Sequence, residues 1–249
     1  MLKKLNTLLI ILLVASLVTS SIYLYLEYKK DKKQEDIFEE LSNVIVEDSE
    51  EQQENSKQEE RKVDIVKLYN ENPDLIGWIK IYDTNIDYPV MQTEKERADY
   101  YLRRNFYKEY SYYGTPYLAE FCNVLKSDNL IVYGHHINGS RMFGELEKYK
   151  SKKFYDEHKI INFNTIYGDY NYEIIAVFKT IAYKGFKYYE FEKAQTKEEY
   201  NNFIKKCKDL SFYNIDETAQ YGDKLITLST CDYSNKNGRL VVVAKRILE

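Results

Sequence analysis

ITLSTCDYSNKNGRLVVVAKR, residues 226 to 246, sets two strand-forming runs on either side of a polar connection. The first run ends in Cys231 and the second opens on Arg239. Between them lie Asp232, Ser234, Asn235 and Asn237, residue types that bond their own backbone in turns. β-Branched residues crowd both runs, as a pleated, half-buried surface favours. If the runs pair as a ribbon, Cys231 and Arg239 end up side by side at its mouth. A thiol near a guanidinium has its thiolate form favoured. A guanidinium near a carbonyl under attack stabilises the oxyanion that develops. The competing reading makes Cys231 a small buried hydrophobe that happens to close a strand.

Working outward, further strands are expected at 115–121, 129–134, 160–166 and 171–180, with the decisive pair at 224–231 and 239–247. IGWIKI and IDYPVM form an earlier pair joined by the turn Asp83-Thr84-Asn85. Gly168-Asp169 reads as the turn of a hairpin. Helical spacing appears in Val63, Val66 and Leu68 before Asn72-Pro73, and again over 94–104 and 142–150. In TKEEYNNFIKKCKDL, residues 196 to 210, Tyr200, Phe203, Ile204 and Cys207 share one helical face. Many strands interrupted by a few helices predict a mainly β fold, a closed or nearly closed barrel with helical insertions.

The chain has 249 residues and a net charge of -4, which offers no basic footprint for nucleic acid. Three cysteines are too few and too odd in number for a disulfide framework. Leu5 to Leu26 contains no charged residue, so residues 5–26 are expected to form a single membrane-spanning anchor helix. A cleaved signal peptide is the alternative, given Lys3, Lys4 and the small residues at Ser16, Thr19, Ser20 and Ser21. The apolar run continues past those small residues, which favours the anchor. Lysines flank both ends, so charge alone leaves the orientation open. The expected organisation is a short N-terminus at 1–4, the anchor at 5–26, a charged stalk at 27–61 and one globular domain at 62–249. The run EDSEEQQENSKQEER at 47–61 is the most stalk-like part.

Only three histidines are available for proton transfer. His135 and His136 directly follow a strand and a glycine in NLIVYGHHINGSRMF, which places them at a sheet rim. His158 sits among charges in DEHK and reads as a surface residue. Cys207 lies on the apolar face of its helix and Cys122 in YLAEFCNV, so both read as packing. Expulsion of an amine from a peptide needs a proton donor, and histidine is the usual one. Cysteine, histidine and arginine thus form a chemically coherent set. Neither cysteines nor histidines are spaced as metal ligands, and no cofactor is expected.

These motifs together resemble the sortase family, class B. The features that carry the resemblance are an N-terminal anchor, YGHH with a following MF, TLSTC, and an arginine opening a valine-rich last strand. LYNENPDLIGWIKIYDTNIDYPVMQ and a helix-bearing insertion at roughly 181–222 add to it. The resemblance covers about residues 62–249. It implies an eight-stranded sortase-type barrel and a cysteine transpeptidase outside the membrane of a Gram-positive-type bacterium, with the N-terminus inside. It assigns Cys231 as nucleophile, His135 as general acid/base with His136 the alternative, and Arg239 as the oxyanion or substrate-binding arginine. Ser229 and Thr230 are candidates to line the substrate groove, and Asp232 and Ser234 candidates for helper roles. The implied partners are secreted proteins with a C-terminal sorting signal, NPxTx-like, and an amine of a peptidoglycan precursor. An anchored cysteine hydrolase of another family and a non-catalytic surface-binding domain are the rival readings.

Overall fold

The computed structural model describes residues 2–45 and 62–247; residues 46–61, which hold much of the expected stalk, lie outside the described residues. Two compact units are present, Met1–Leu41 and Ser42–Glu249. The first is the bulk of one long helix, α1 (Leu2–Ser42). Its apolar side chains from Leu9 to Leu26 are exposed, and its mean hydropathy reaches 2.3. At 1.5 Å per residue, 41 residues span about 60 Å, about twice the hydrocarbon core of a bilayer. The helix is thus long and apolar enough to cross a membrane, and it continues past Leu26 into the charged segment.

The second unit opens with α2 (Ile65–Glu71), capped by the Asp64 carboxylate, which accepts from the Lys67 N–H at 2.9 Å. Ile65 and Leu68 form its buried face, while Val66 points outward. The strands follow as β1 (Leu75–Lys80), β2 (Asp87–Met91), β3 (Tyr117–Leu118), β4 (Asn129–Tyr133), β5 (His136–Ile137) and β6 (Arg141–Met142). After helix α3 (Lys152–Glu157) come β7 (Ile160–Thr165), β8 (Gly168–Ile181), helix α4 (Lys197–Leu210), β9 (Leu225–Asp232) and β10 (Gly238–Arg246). Eight of the strands close a barrel in the order β1-β2-β3-β4-β9-β10-β8-β7, and β5 and β6 form a separate small ribbon. The β2–β3 and β4–β9 pairs are parallel and the other neighbours are antiparallel.

The centre of the barrel wall is β9 and β10. Leu240 to Ala244 are fully buried on both faces, as expected for strands covered on either side. On the outer stretch β7, burial alternates strictly, with Ile161, Phe163 and Thr165 inward. α4 carries Tyr200, Phe203, Ile204 and Cys207 on its buried face and belongs to the insertion between β8 and β9.

Three local expectations are corrected. Residues 94–104 do not form an α-helix but two 3-10 turns, Lys95–Arg97 and Tyr100–Arg103. The N–H groups reach back three residues, Arg97 to Glu94 O, Ala98 to Lys95 O and Leu102 to Asp99 O, and Arg97 O, which an α-helix would offer to Tyr101, accepts from Thr93 Oγ1. The last carbonyls of the stretch, free at any helix end, serve tertiary partners. Tyr101 O accepts from the Thr115 N–H, Leu102 O from His135 Nε2 and Arg103 O from the Ser111 N–H. The expected strand at 115–121 shrinks to two residues, because the chain turns at Ala119–Cys122 and Gln92 Nε2 pins both carbonyls of that turn at 2.8 Å. The β7–β8 hairpin turns at Ile166-Tyr167, with Gly168 already paired to Thr165. Thr165 Oγ1 bonds Gly168 O and accepts from the Tyr167 N–H, so a threonine supplies the turn chemistry.

Candidate active site

β9 sits between β4 and β10, and this order assembles the site. Cys231 pairs directly with Arg239 across β9 and β10. The hydrogen-bond pattern fixes what kind of pair it is. The Leu225 N–H donates to Asp128 O, and Ser229 O accepts from the Gly134 N–H, so the odd residues of β9 turn their peptide groups toward β4. Alternation then makes Cys231–Arg239 a non-hydrogen-bonded pair, the kind whose side chains stand closest, with Cα atoms about 4.5 Å apart. Both side chains emerge on the same face of the sheet. Gly238, just before Arg239, permits the close approach, since a Cβ there would lie 2.4 Å from Asp232 O.

On the other side of β9, β4 delivers the histidine. Gly134 follows the strand, and a Cβ on it would collide with the buried Phe143 ring at 2.5 Å. Thr230 Oγ1 donates to Gly134 O at 2.8 Å, tying the segment to β9 one residue before His135. His135 Nε2 lies 2.8 Å from Leu102 O. A carbonyl only accepts, so Nε2 carries the proton and the neutral ring keeps its lone pair on Nδ1. Burial, with the nearby Arg103 charge, pushes the His135 pKa below its ordinary value, against a smaller opposing effect of the Leu102 hydrogen bond.

A cleft of about 540 Å³ brings Cys231, Arg239 and His135 together. That volume falls within the roughly 300–1,000 Å³ typical of ligand sites. Its walls include Leu102, Tyr117, Tyr133, Tyr183 and Tyr188. Ser229 and Thr230 border it, but their hydroxyls are committed, Ser229 to Tyr188 OH at 2.5 Å and Thr230 to Gly134. Burial pushes the Tyr188 pKa up to about 12, although the Ser229 hydrogen bond and Arg239 work against it, so the group stays a phenol. Tyr188, from the β8–β9 insertion, and the Leu102 carbonyl are parts of the site that the sequence did not single out. The only sequence signal for Tyr188 is its place in that insertion.

The remaining candidates are placed elsewhere. Asp232 sits on the opposite face of β9, 3% exposed, in an ion pair with Lys179 of β8, and its Oδ1 accepts from the Ser234 N–H at 2.7 Å. Burial works to raise its pKa, but Lys179 and the Ser234 hydrogen bonds outweigh it and hold the carboxyl at about 2. Ser234 accepts from Lys179 Nζ at 3.2 Å. Asp232 and Ser234 thus brace the β9–β10 connection from behind. His136 also faces away from the cleft, with Nδ1 2.9 Å from Cys231 O. His158 is half-buried rather than a free surface residue, stacked on Phe154 at the end of α3. Cys122 and Cys207 are buried, and burial pushes the Cys122 thiol up to about 12 and Cys207 higher still.

A cysteine, an arginine and a histidine converge in one cleft on a closed eight-stranded barrel, and the sortase domain family matches residues 79–247 of this chain. The chain belongs to the sortase family. Sortase B of Staphylococcus aureus is 37% identical over 180 residues, covering 71% of each chain. The solved Staphylococcus aureus sortase B–substrate complex is 33% identical with a TM-score of 0.68, covering 74% of this chain and 84% of that one. A sortase B from B. anthracis, solved in complex with AAEK1, is 29% identical with a TM-score of 0.73 and covers 89% of this chain and all of that one. This sortase is a class B cysteine transpeptidase of the cell-wall anchoring family.

Proposed function

We propose that this sortase cleaves an NPxTx-like sorting signal near the C-terminus of secreted proteins and transfers the protein to an amine of a peptidoglycan precursor. The observation that carries the reading is the Cys231–Arg239 strand pair facing one cleft with His135. The Cys231 thiolate attacks the threonine carbonyl carbon, forming the S–C bond and an oxyanion. Arg239 holds that oxyanion. As the C–N bond breaks, protonated His135 gives its Nδ1 proton to the departing amine. A thioacyl-enzyme remains on Cys231. The acceptor amine attacks the thioester carbonyl, His135 Nδ1 takes its proton, and the C–S bond breaks to return the thiolate. Dividing the exchange into two steps replaces one high barrier with two lower ones. Tyr117, Tyr133 and Tyr188 give the cleft an apolar wall for the signal peptide.

α1 anchors the enzyme in the membrane with its N-terminus inside, which puts the catalytic unit on the outer face where both substrates are found. The test is mass spectrometry of the enzyme incubated with candidate signal peptides, with and without amine acceptors. The expected species are a Cys231 thioacyl adduct and an amide product that appears only with the acceptor. Hydrolysis alone across plausible acceptors would favour a hydrolase, and no adduct with any signal peptide would remove the mechanism.

A further inference from the structure

We infer that His136 is a positioning residue that holds the nucleophile's own backbone. The parallel ladder between β4 and β9 runs to the Tyr133–Ser229 pair, and its last bond is Gly134 N–H to Ser229 O at 3.1 Å. The next carbonyl of β9 that faces this edge, two residues on, is that of Cys231. Here β4 has ended, so no strand stands opposite to bond it. The His136 ring fills that place, with Nδ1 2.9 Å from Cys231 O. The carbonyl can only accept, so Nδ1 carries a proton in either charge state of the ring.

The grip is reciprocal. The Tyr233 ring packs against His136 with centroids 5.1 Å apart, and its hydroxyl donates to His136 O at 3.3 Å. The Glu147 carboxylate, itself paired with Lys150, is 4.0 Å from Nδ1, too far to compete for the proton. The imidazole side chain is 14% exposed, so water competes weakly for the bond. One dipeptide therefore straddles the end of β9: His135 enters the cleft and His136 clamps the residue it serves. The distance between acid/base and thiol is set by this clamp rather than by a continued strand pair.

The inference rests on Cys231 and His135 acting as proposed, so those variants belong in the same experiment. The full-length enzyme and its His136→Ala, His136→Asn, His136→Gln and Tyr233→Phe variants are assayed for peptide cleavage, alongside Cys231→Ala and His135→Ala. The Asn side-chain nitrogen overlays Nδ1, whereas that of Gln overlays Nε2. The expected result is a fall in kcat of about tenfold for His136→Ala with KM little changed, the scale of one lost hydrogen bond. His136→Asn should restore most of kcat, His136→Gln should not, and Tyr233→Phe should lose severalfold. If His136→Ala fails to fold, the Asn-against-Gln contrast carries the test. Equal kcat in those two, or wild-type kcat in His136→Ala while Cys231→Ala and His135→Ala are inactive, overturns the positioning role alone. Loss in His136→Ala as complete as in Cys231→Ala, with His135→Ala active, makes His136 the acid/base and overturns it too. Turnover surviving in Cys231→Ala instead overturns the reaction scheme beneath it.

Discussion

Cys231 has a cation directly across the strand pair and an imidazole beyond the opposite edge, whereas Cys122 and Cys207 are buried, the Cys122 thiol donating to Asn129 O at 3.4 Å. Burial that pushes the latter two thiols up to about 12 or beyond leaves almost no thiolate at neutral pH. Iodoacetamide on the folded enzyme should therefore modify Cys231 alone, read by peptide mapping; early labelling of Cys122 or Cys207 would shift the nucleophile assignment. Cys231→Ala should abolish cleavage, and Arg239→Ala should lower kcat by on the order of a hundredfold, the cost of one oxyanion donor. His135 should titrate by NMR below its ordinary value of about 6.5. Arg103→Gln should move that midpoint upward, because a neighbouring cation disfavours imidazolium; an unmoved midpoint would leave burial as the sole cause. The same depressed pKa makes His135 a stabilising neutral group above about pH 6.5, an advantage lost as pH falls from there toward its folded value. The reactive residue types and their rim positions were legible in the sequence, since few histidines and one turn-flanked cysteine compete for the roles. Which histidine faces the cleft was not legible from adjacency. It depends on Leu102 O and Cys231 O, backbone acceptors left free at the end of a 3-10 turn and beyond an ended strand.

The β9–β10 ribbon and the β4 terminus act as a unit, and strain in any part should appear in catalysis. Gly134→Ala places a Cβ 2.5 Å from Phe143, a ring with no exposed surface that cannot swing aside. Overpacking of this kind costs about 1–3 kcal/mol. Thermal unfolding should register that loss, and kcat should fall with it as His135 is displaced; unchanged values in both would mean the ring relocates freely. Behind the ribbon, Asp232 is held at about 2 against an ordinary 3.8, so its interactions stabilise the fold fully above pH 3.8 and are lost as pH falls through about 2. The difference corresponds to about 2 kcal/mol. Asp232→Asn should lower stability at pH 7 by about that amount and flatten the acid limb of the unfolding curve. A parallel loss at pH 2 would point to packing rather than charge. The strands of this ribbon were readable because two runs rich in β-branched residues flank a single cluster of turn formers. The 3-10 segment before β3 was not, because residue spacing does not separate three-residue from four-residue backbone steps, and Arg97 O is claimed by the Thr93 hydroxyl.

Across the whole molecule, the closed barrel followed from the count and spacing of strand-like runs, since only closure or a sandwich hides so many edges. The strand order was less accessible: β4 lies beside β9 in parallel across ninety-odd residues of sequence, and no local pattern encodes that pairing. Yet this pairing brings YGHH to TLSTC. The division into a long apolar helix and a compact catalytic unit leads to the last prediction. Every residue of the cleft lies between Ala98 and Arg239, inside the second unit. The 0.8 kcal/mol gained per buried methylene makes exposure of the side chains from Leu9 to Leu26 to water very unfavourable. The full chain should therefore sediment with the membrane fraction and require detergent for release. A variant lacking residues 1–41 should be soluble, and should cleave a soluble signal peptide with unchanged kcat and KM. Such a variant should nevertheless fail to restore surface display in cells lacking the enzyme, because without α1 it is no longer held at the membrane where the proposed substrates would arrive. A full chain that stays soluble would remove the anchor. A folded truncated enzyme with impaired kcat on the soluble peptide would show that α1 contributes to catalysis, which the confinement of the cleft to the second unit argues against.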